Sequence, residues 1–287
     1  MSHQFNFPEH SPLPAFDETI EQSPPAPDMV LCIPGPWAAR DECFNAVMRD
    51  SGGYLMLGES LLHVASSFKC ELEFHDPDPA MERAFSATGS HWRDTPAMAA
   101  IAEHRSVVYL VGCGGTREAA EAMIRAAAAL LDAGGLGVKV ESSGLAHSPE
   151  KWRSLVANLH LFSAHEALVV YVTGDEIYSC GMHLLGLPDA ITGERDHVAG
   201  VELLRVFTRY VFREAPQLRD EQTFAAEVAA PSYRLRRDRG IAYPADSLFA
   251  NEFGYWRLVP VQALVKPSRK RGWRQLSWPV GVNYLGR

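Results

Sequence analysis

The chain lacks any apolar run long enough to cross a bilayer: its longest, at 126–131 and 167–172, fall far short of about 20 residues. It also lacks a Cys-x-x-Cys pair. Its five cysteines, Cys32, Cys43, Cys70, Cys113 and Cys180, stand singly, and an odd number cannot close into a complete set of intrachain disulfides. The opening residues MSHQFNFPEH have neither the basic start nor the apolar centre of a secretory signal. Together these absences predict a soluble cytoplasmic protein. Basic residues are in deficit, 27 against 35 acidic ones, and the net charge of −8 argues against nucleic acid as the main partner. Acidic residues are missing altogether after Tyr255, where Arg257, Lys266, Arg269, Lys270, Arg271, Arg274 and Arg287 gather around Trp273 and Trp278. The expected role of that basic tail is a solvated segment pairing with acidic patches of the body.

What is present is the composition of a globular chain, with 47% hydrophobic and 22% charged residues in a length of 287. Residues 1–28 carry six prolines among Glu, Asp, Ser and Gln and read as a proline-rich flexible leader. The run MVLCI at 29–33 ends at Pro34-Gly35-Pro36 as a buried strand entering a turn. Cys43, Phe44, Val47 and Met48 recur at helical spacing, and 54–57 resumes as strand. At 68–74 Phe68, Cys70, Leu72 and Phe74 alternate with Lys69, Glu71 and Glu73, the pattern of a half-buried strand. Residues 107–111 are apolar on both faces, which predicts a central strand. Thr116 is placed to cap a long amphipathic helix that ends at Gly134-Gly135, and Ser148-Pro149 to start a short one. Residues 167–172 read as a further buried strand, followed by a hairpin at 177–183. Residues 197–213 read as a helix with only Glu202, Arg205, Arg209 and Arg213 as a polar stripe. The whole predicts an α+β chain. Two α/β lobes of ferredoxin-like β-α-β-β character, 29–90 and 91–215, are followed by a β-rich extension with the basic tail, 216–287.

Several of these strings together resemble an uncharacterised bacterial domain-of-unknown-function family. They are MVLCIP at 29–34, the Asp76-Pro-Asp-Pro79 that follows the alternating strand, and His91-Trp92 and His104 before the strand at 107–111. The last is CGMHLLG at 180–186. The resemblance spans roughly 28–215 and implies an intracellular bacterial α+β protein, with no activity or catalytic residues to carry over.

Three places hold residues that could do chemistry. The turn Gly112-Cys113-Gly114-Gly115-Thr116 lies between a strand and a helix N-terminus, where free amides and the helix dipole could hold an anion. It is not a complete dinucleotide or P-loop fingerprint, since Glu118 and Ala119 follow and no Gly-Lys-Ser/Thr ends it. Cys113 in that turn is a candidate nucleophile, with His147, His160, His165 or His183 as the possible base. Cys180 and His183 have metal-ligand chemistry, but on a regular strand they would point to opposite faces, and no second Cys/His pair completes a zinc set. Ser148-Pro-Glu-Lys151 matches an acylation motif whose two partner elements are absent, so it reads as a helix cap. No metal site and no cofactor are expected. Two functions follow. The first is a non-catalytic protein-binding module of immunity or regulatory type, its acidic surface facing a basic partner. The alternative is a small-molecule or phosphate-binding enzyme that uses the turn 112–116 with Cys113 as nucleophile.

Overall fold

A computed structural model describes residues 25–88, 92, 94–157, 162–227, 230–244 and 246–261. Most of the expected leader and the basic tail beyond Val261 lie outside the described residues. The fold is α+β, with two sheets and seven α-helices among the described residues. The first sheet runs β2 (Tyr54–Leu57), β3 (Ser60–His63), β4 (Phe68–His75), β5 (Ser106–Cys113), β1 (Asp28–Gly35), β6 (Val138–Val140), β7 (Leu145–His147), all neighbours antiparallel. Strands from both sides of residue 90 share it, because β5 inserts between β4 and β1.

The alternation of side chains explains why β1 and β5 are apolar throughout. Met29, Leu31, Ile33, Val108 and Leu110 face one core, and Cys32, Val107 and Tyr109 face the other. On the first side pack α1 (Arg40–Asp50) and α4 (Arg117–Asp132), through Cys43, Val47, Met123 and Leu130. On the second pack α2 (Met81–Ser86) and α3 (Pro96–Ala102), through Phe85, Met98 and Ile101. Of the four apolar residues at helical spacing in α1, Cys43 and Val47 are buried and Phe44 and Met48 are exposed.

The second sheet runs β11 (Thr223–Phe224), β12 (Tyr233–Asp238), β13 (Tyr255–Pro260), β10 (Asp189–Thr192), β9 (Ile177–Cys180), β8 (Val170–Thr173). The β10–β13 pair is parallel. On it lies α7 (His197–Glu214), capped by Asp196, whose carboxylate accepts from the Val198 and Ala199 amides. In the chain between β7 and β8 come α5 (Pro149–Ala157) and α6 (Ser163–Leu168), which both contribute to the first core.

Two local expectations change. Residues 167 and 168 close α6, and strand begins only at Val170, since Ala167 and Leu168 favour helix and the β-branched Val169, Val170 and Val172 favour strand. The hairpin strand stops at Cys180, because Gly181 turns into the left-handed region at φ 115°, where a Cβ would sit 2.2 Å from the Leu168 carbonyl oxygen. A single 3₁₀ turn, Met182–Leu185, follows. Among the described residues no helix is long and apolar enough to cross a membrane.

Candidate functional site

The glycine turn is a crossing point of three segments. Gly114 N–H donates to the Pro27 carbonyl at 2.7 Å and Gly115 N–H to the Leu184 carbonyl at 2.9 Å, so the two amides are committed within the protein. Thr116 Oγ1 caps α4 by accepting from the Ala119 amide at 3.1 Å. Gly112 lies against Met123, where a Cβ would come within 2.6 Å of the sulfur. The glycines are thus required by close packing of chain on chain. Cys113 is exposed, whereas Cys32, Cys43, Cys70 and Cys180 are buried. Of its possible bases, His147 Nε2 contacts the Ala167 carbonyl, His165 Nε2 contacts Thr208 and His183 Nε2 contacts the Leu248 carbonyl. Each has a ring nitrogen engaged elsewhere, and His160 lies outside the described residues.

Cys180 and His183 belong to a buried polar cluster around Asp189. Ser179 Oγ donates to Asp189 Oδ1 at 2.6 Å, Asn251 Nδ2 to Oδ2 at 2.6 Å and the Met182 amide to Oδ1 at 3.4 Å. Burial outweighs these contacts and raises the Asp189 carboxyl to about 7. Burial also drives the His183 imidazole down to about 4, so the 4.0 Å from its Nδ1 to Asp189 is not an ion pair at neutral pH. The Cys180 thiol is pushed upward by the same desolvation, then by Asp189. Among the described residues, no group of three or more His, Cys, Asp or Glu side chains is arranged to hold a metal ion.

A concavity with room for a ligand lies elsewhere. A cleft of about 1000 Å³ opens where α3, β7 and the start of α5 meet the second core. Pro96, Ala97 and Ala100 of α3 form one wall, and Leu136, Leu145 and buried Trp92 continue the apolar surface. Trp92 is held by its indole N–H on Thr88 Oγ1 and by an edge-on contact with Phe85. From α5 come Glu150, Lys151 and Arg153, the last fixed by Asp132 and the Leu131 carbonyl.

A second cleft, of about 380 Å³, shares Leu145, His147 and Lys151 with the first and runs between α5, α6 and α7. Its charged groups are Lys151, Arg205, Arg209 and Glu166. Arg209 Nη2 donates to Glu166 at 2.8 Å, and Lys151 Nζ lies 3.7 Å from the same carboxylate. Arg205 pairs with Glu202 at 2.5 Å and lies over the Tyr171 ring. His165, 2% exposed, also lines this cleft. Burial first, then Arg209 and Arg205, lower its imidazole to about 3, so the ring is neutral.

The sequence singled out the polar stripe of α7, Ser148, Lys151 and His165, each for a different reason. Nothing in it linked them, because the clefts are assembled from α3, β7, α5, α6 and α7. Asp189 and Asn251 carried no signal at all. Comparison with known proteins adds no relative: no family model matches the chain, and no curated protein or solved structure is significantly similar to it.

Proposed function

We propose that the chain is a non-catalytic binding protein whose ligand enters the apolar cleft between α3, β7 and α5. The observation that carries this reading is the cleft itself. At about 1000 Å³, with apolar walls and a few charged groups at one side, it has the size and lining of a small-molecule site. The engagement of the Gly114 and Gly115 amides and of three histidines leaves the Cys113 enzyme without a support of comparable weight. Ala100 stands on the wall, half-exposed, so Ala100→Trp fills the cleft from a helix surface. The native protein is expected to bind a neutral apolar dye such as Nile red saturably at one site, and Ala100→Trp to lose that binding by about tenfold or more. Equal titrations of the two folded proteins would remove the cleft as the binding site.

A second reading keeps the immunity or regulatory partner. Phe44 and Met48 are exposed four residues apart on α1, at 40% and 48%, beside Asp41 and Glu42. An apolar pair on a helix that carries Asp41, Glu42 and Asp50 against Arg40 and Arg49 suits a basic protein partner, as does the net charge of −8. Co-purification from the native host is expected to recover one partner in stoichiometric amount with the unaltered chain and none with Phe44→Glu/Met48→Glu. Recovery that is indifferent to the double substitution counts against this surface.

A further inference from the structure

We propose that the smaller cleft between α5, α6 and α7 binds the phosphate group of a phosphate monoester, whose apolar remainder extends into the larger cleft. The proposal rests on the binding reading above, since the two clefts share Leu145, His147 and Lys151 as lining.

Charge makes the first part of the case. On a chain of net charge −8, this cleft gathers Lys151, Arg205 and Arg209, and the carboxylates paired with them are Glu166 and Glu202. One positive charge is left uncompensated. Arg209 Nε is moreover buried with no acceptor, although Nη2 of the same guanidinium is engaged by Glu166. A buried N–H of that kind calls for an oxygen.

His165 supplies the second part. We assign the Thr208 hydroxyl proton to the Leu204 carbonyl at 2.9 Å, which leaves Oγ1 to accept from Tyr171 Oη at 2.8 Å and from His165 Nε2 at 3.0 Å. That assignment of the Thr208 proton puts the imidazole proton on Nε2. Nδ1 is then a bare lone pair, buried and without a partner. It calls for a donor. The ligand group that fits must therefore present acceptor oxygens to Arg209 and a protonated oxygen to His165. A phosphate monoester does both in its singly protonated form, which predominates below its second pKa of about 6. A sulfate, which carries no proton at neutral pH, leaves Nδ1 facing an oxygen lone pair. The cleft is accordingly expected to distinguish the two anions.

Isothermal titration of the full-length protein with inorganic phosphate and with sulfate, at matched ionic strength, tests this directly. Phosphate is expected to bind saturably and about tenfold or more tightly than sulfate. Arg209→Gln, on a partly exposed side chain, should weaken phosphate by about tenfold or more. His165→Phe should bring phosphate down to the level of sulfate while leaving sulfate unchanged, a selective effect that loss of packing would not produce. Equal affinity for both anions, no saturable phosphate binding, or full phosphate affinity in Arg209→Gln overturns the proposal. Where His165→Phe fails to fold, the anion comparison and Arg209→Gln decide alone. The Nile red titration separates the two readings: dye binding without phosphate binding removes only the phosphate site, and phosphate binding without dye binding removes only the apolar cleft.

Discussion

Asp189 is a carboxylic acid taken wholly out of water. It has no exposed surface, and the groups that meet its oxygens are all donors: Ser179 Oγ, Asn251 Nδ2 and backbone amides. Because burial raises its folded-state value from the ordinary 3.8 to about 7, folding favours the protonated form. The stability this contributes is fully present below the ordinary value and is lost as pH rises to about 7. His165 and His183 act in the opposite sense. Their imidazoles fall from 6.5 to about 3 and about 4, so their contribution is present above 6.5 and is lost as pH falls through those lower values. The overall pH profile therefore mixes opposing slopes, and the difference between variants isolates one of them. Asp189→Asn is expected to cost stability at about pH 5, and that cost to shrink by about 2–3 kcal/mol by about pH 8. Urea unfolding at the two pH values measures it. A difference that stays constant with pH would show that the carboxyl does not titrate in this range.

At the scale of elements, legibility followed length and periodicity. β1 and β5 are readable because they are apolar on both faces, and the structure places them side by side with helices on each side of the sheet. The repeats in α4 and α7, each four turns or more, leave little choice of period. The stretch 167–172 has no period to read, and a short apolar run can end a helix as easily as begin a strand. β3, β7 and β10 are three or four residues long, too short to alternate visibly. The turn at 112–116 was legible as a turn, but its amides meet Pro27 and Leu184, whose approach depends on the pairing of β1 with β5 and on the left-handed Gly181. The same limit applies to the clefts. Arg205 and Arg209 stand out as a stripe on an apolar helix, yet only packing of α7 against α6 brings His165 and Glu166 to them.

For the whole molecule, the decisive feature is that one core crosses from the first sheet to the second. Met123 and Leu130 of α4, Trp152 of α5, Leu168 of α6, Phe207 of α7 and Trp256 of β13 belong to the same buried cluster as Leu31 and Leu110. Trp152 also donates its indole N–H to the Ile124 carbonyl and so ties α5 to α4. Removing buried surface at one end of such a core lowers the stability of the other, because neither sheet keeps its apolar face covered alone. Phe207, 1% exposed and edge-on to Phe224 at 5.0 Å, lies at the end occupied by the second sheet. Phe207→Ala is expected to cost about 3–5 kcal/mol. The cost should appear as a shift of one unfolding transition, seen at the same denaturant concentration by far-ultraviolet circular dichroism and by tryptophan fluorescence. Two separated transitions in the variant, with only the earlier one displaced, would mean that the sheets unfold as independent units despite their shared core.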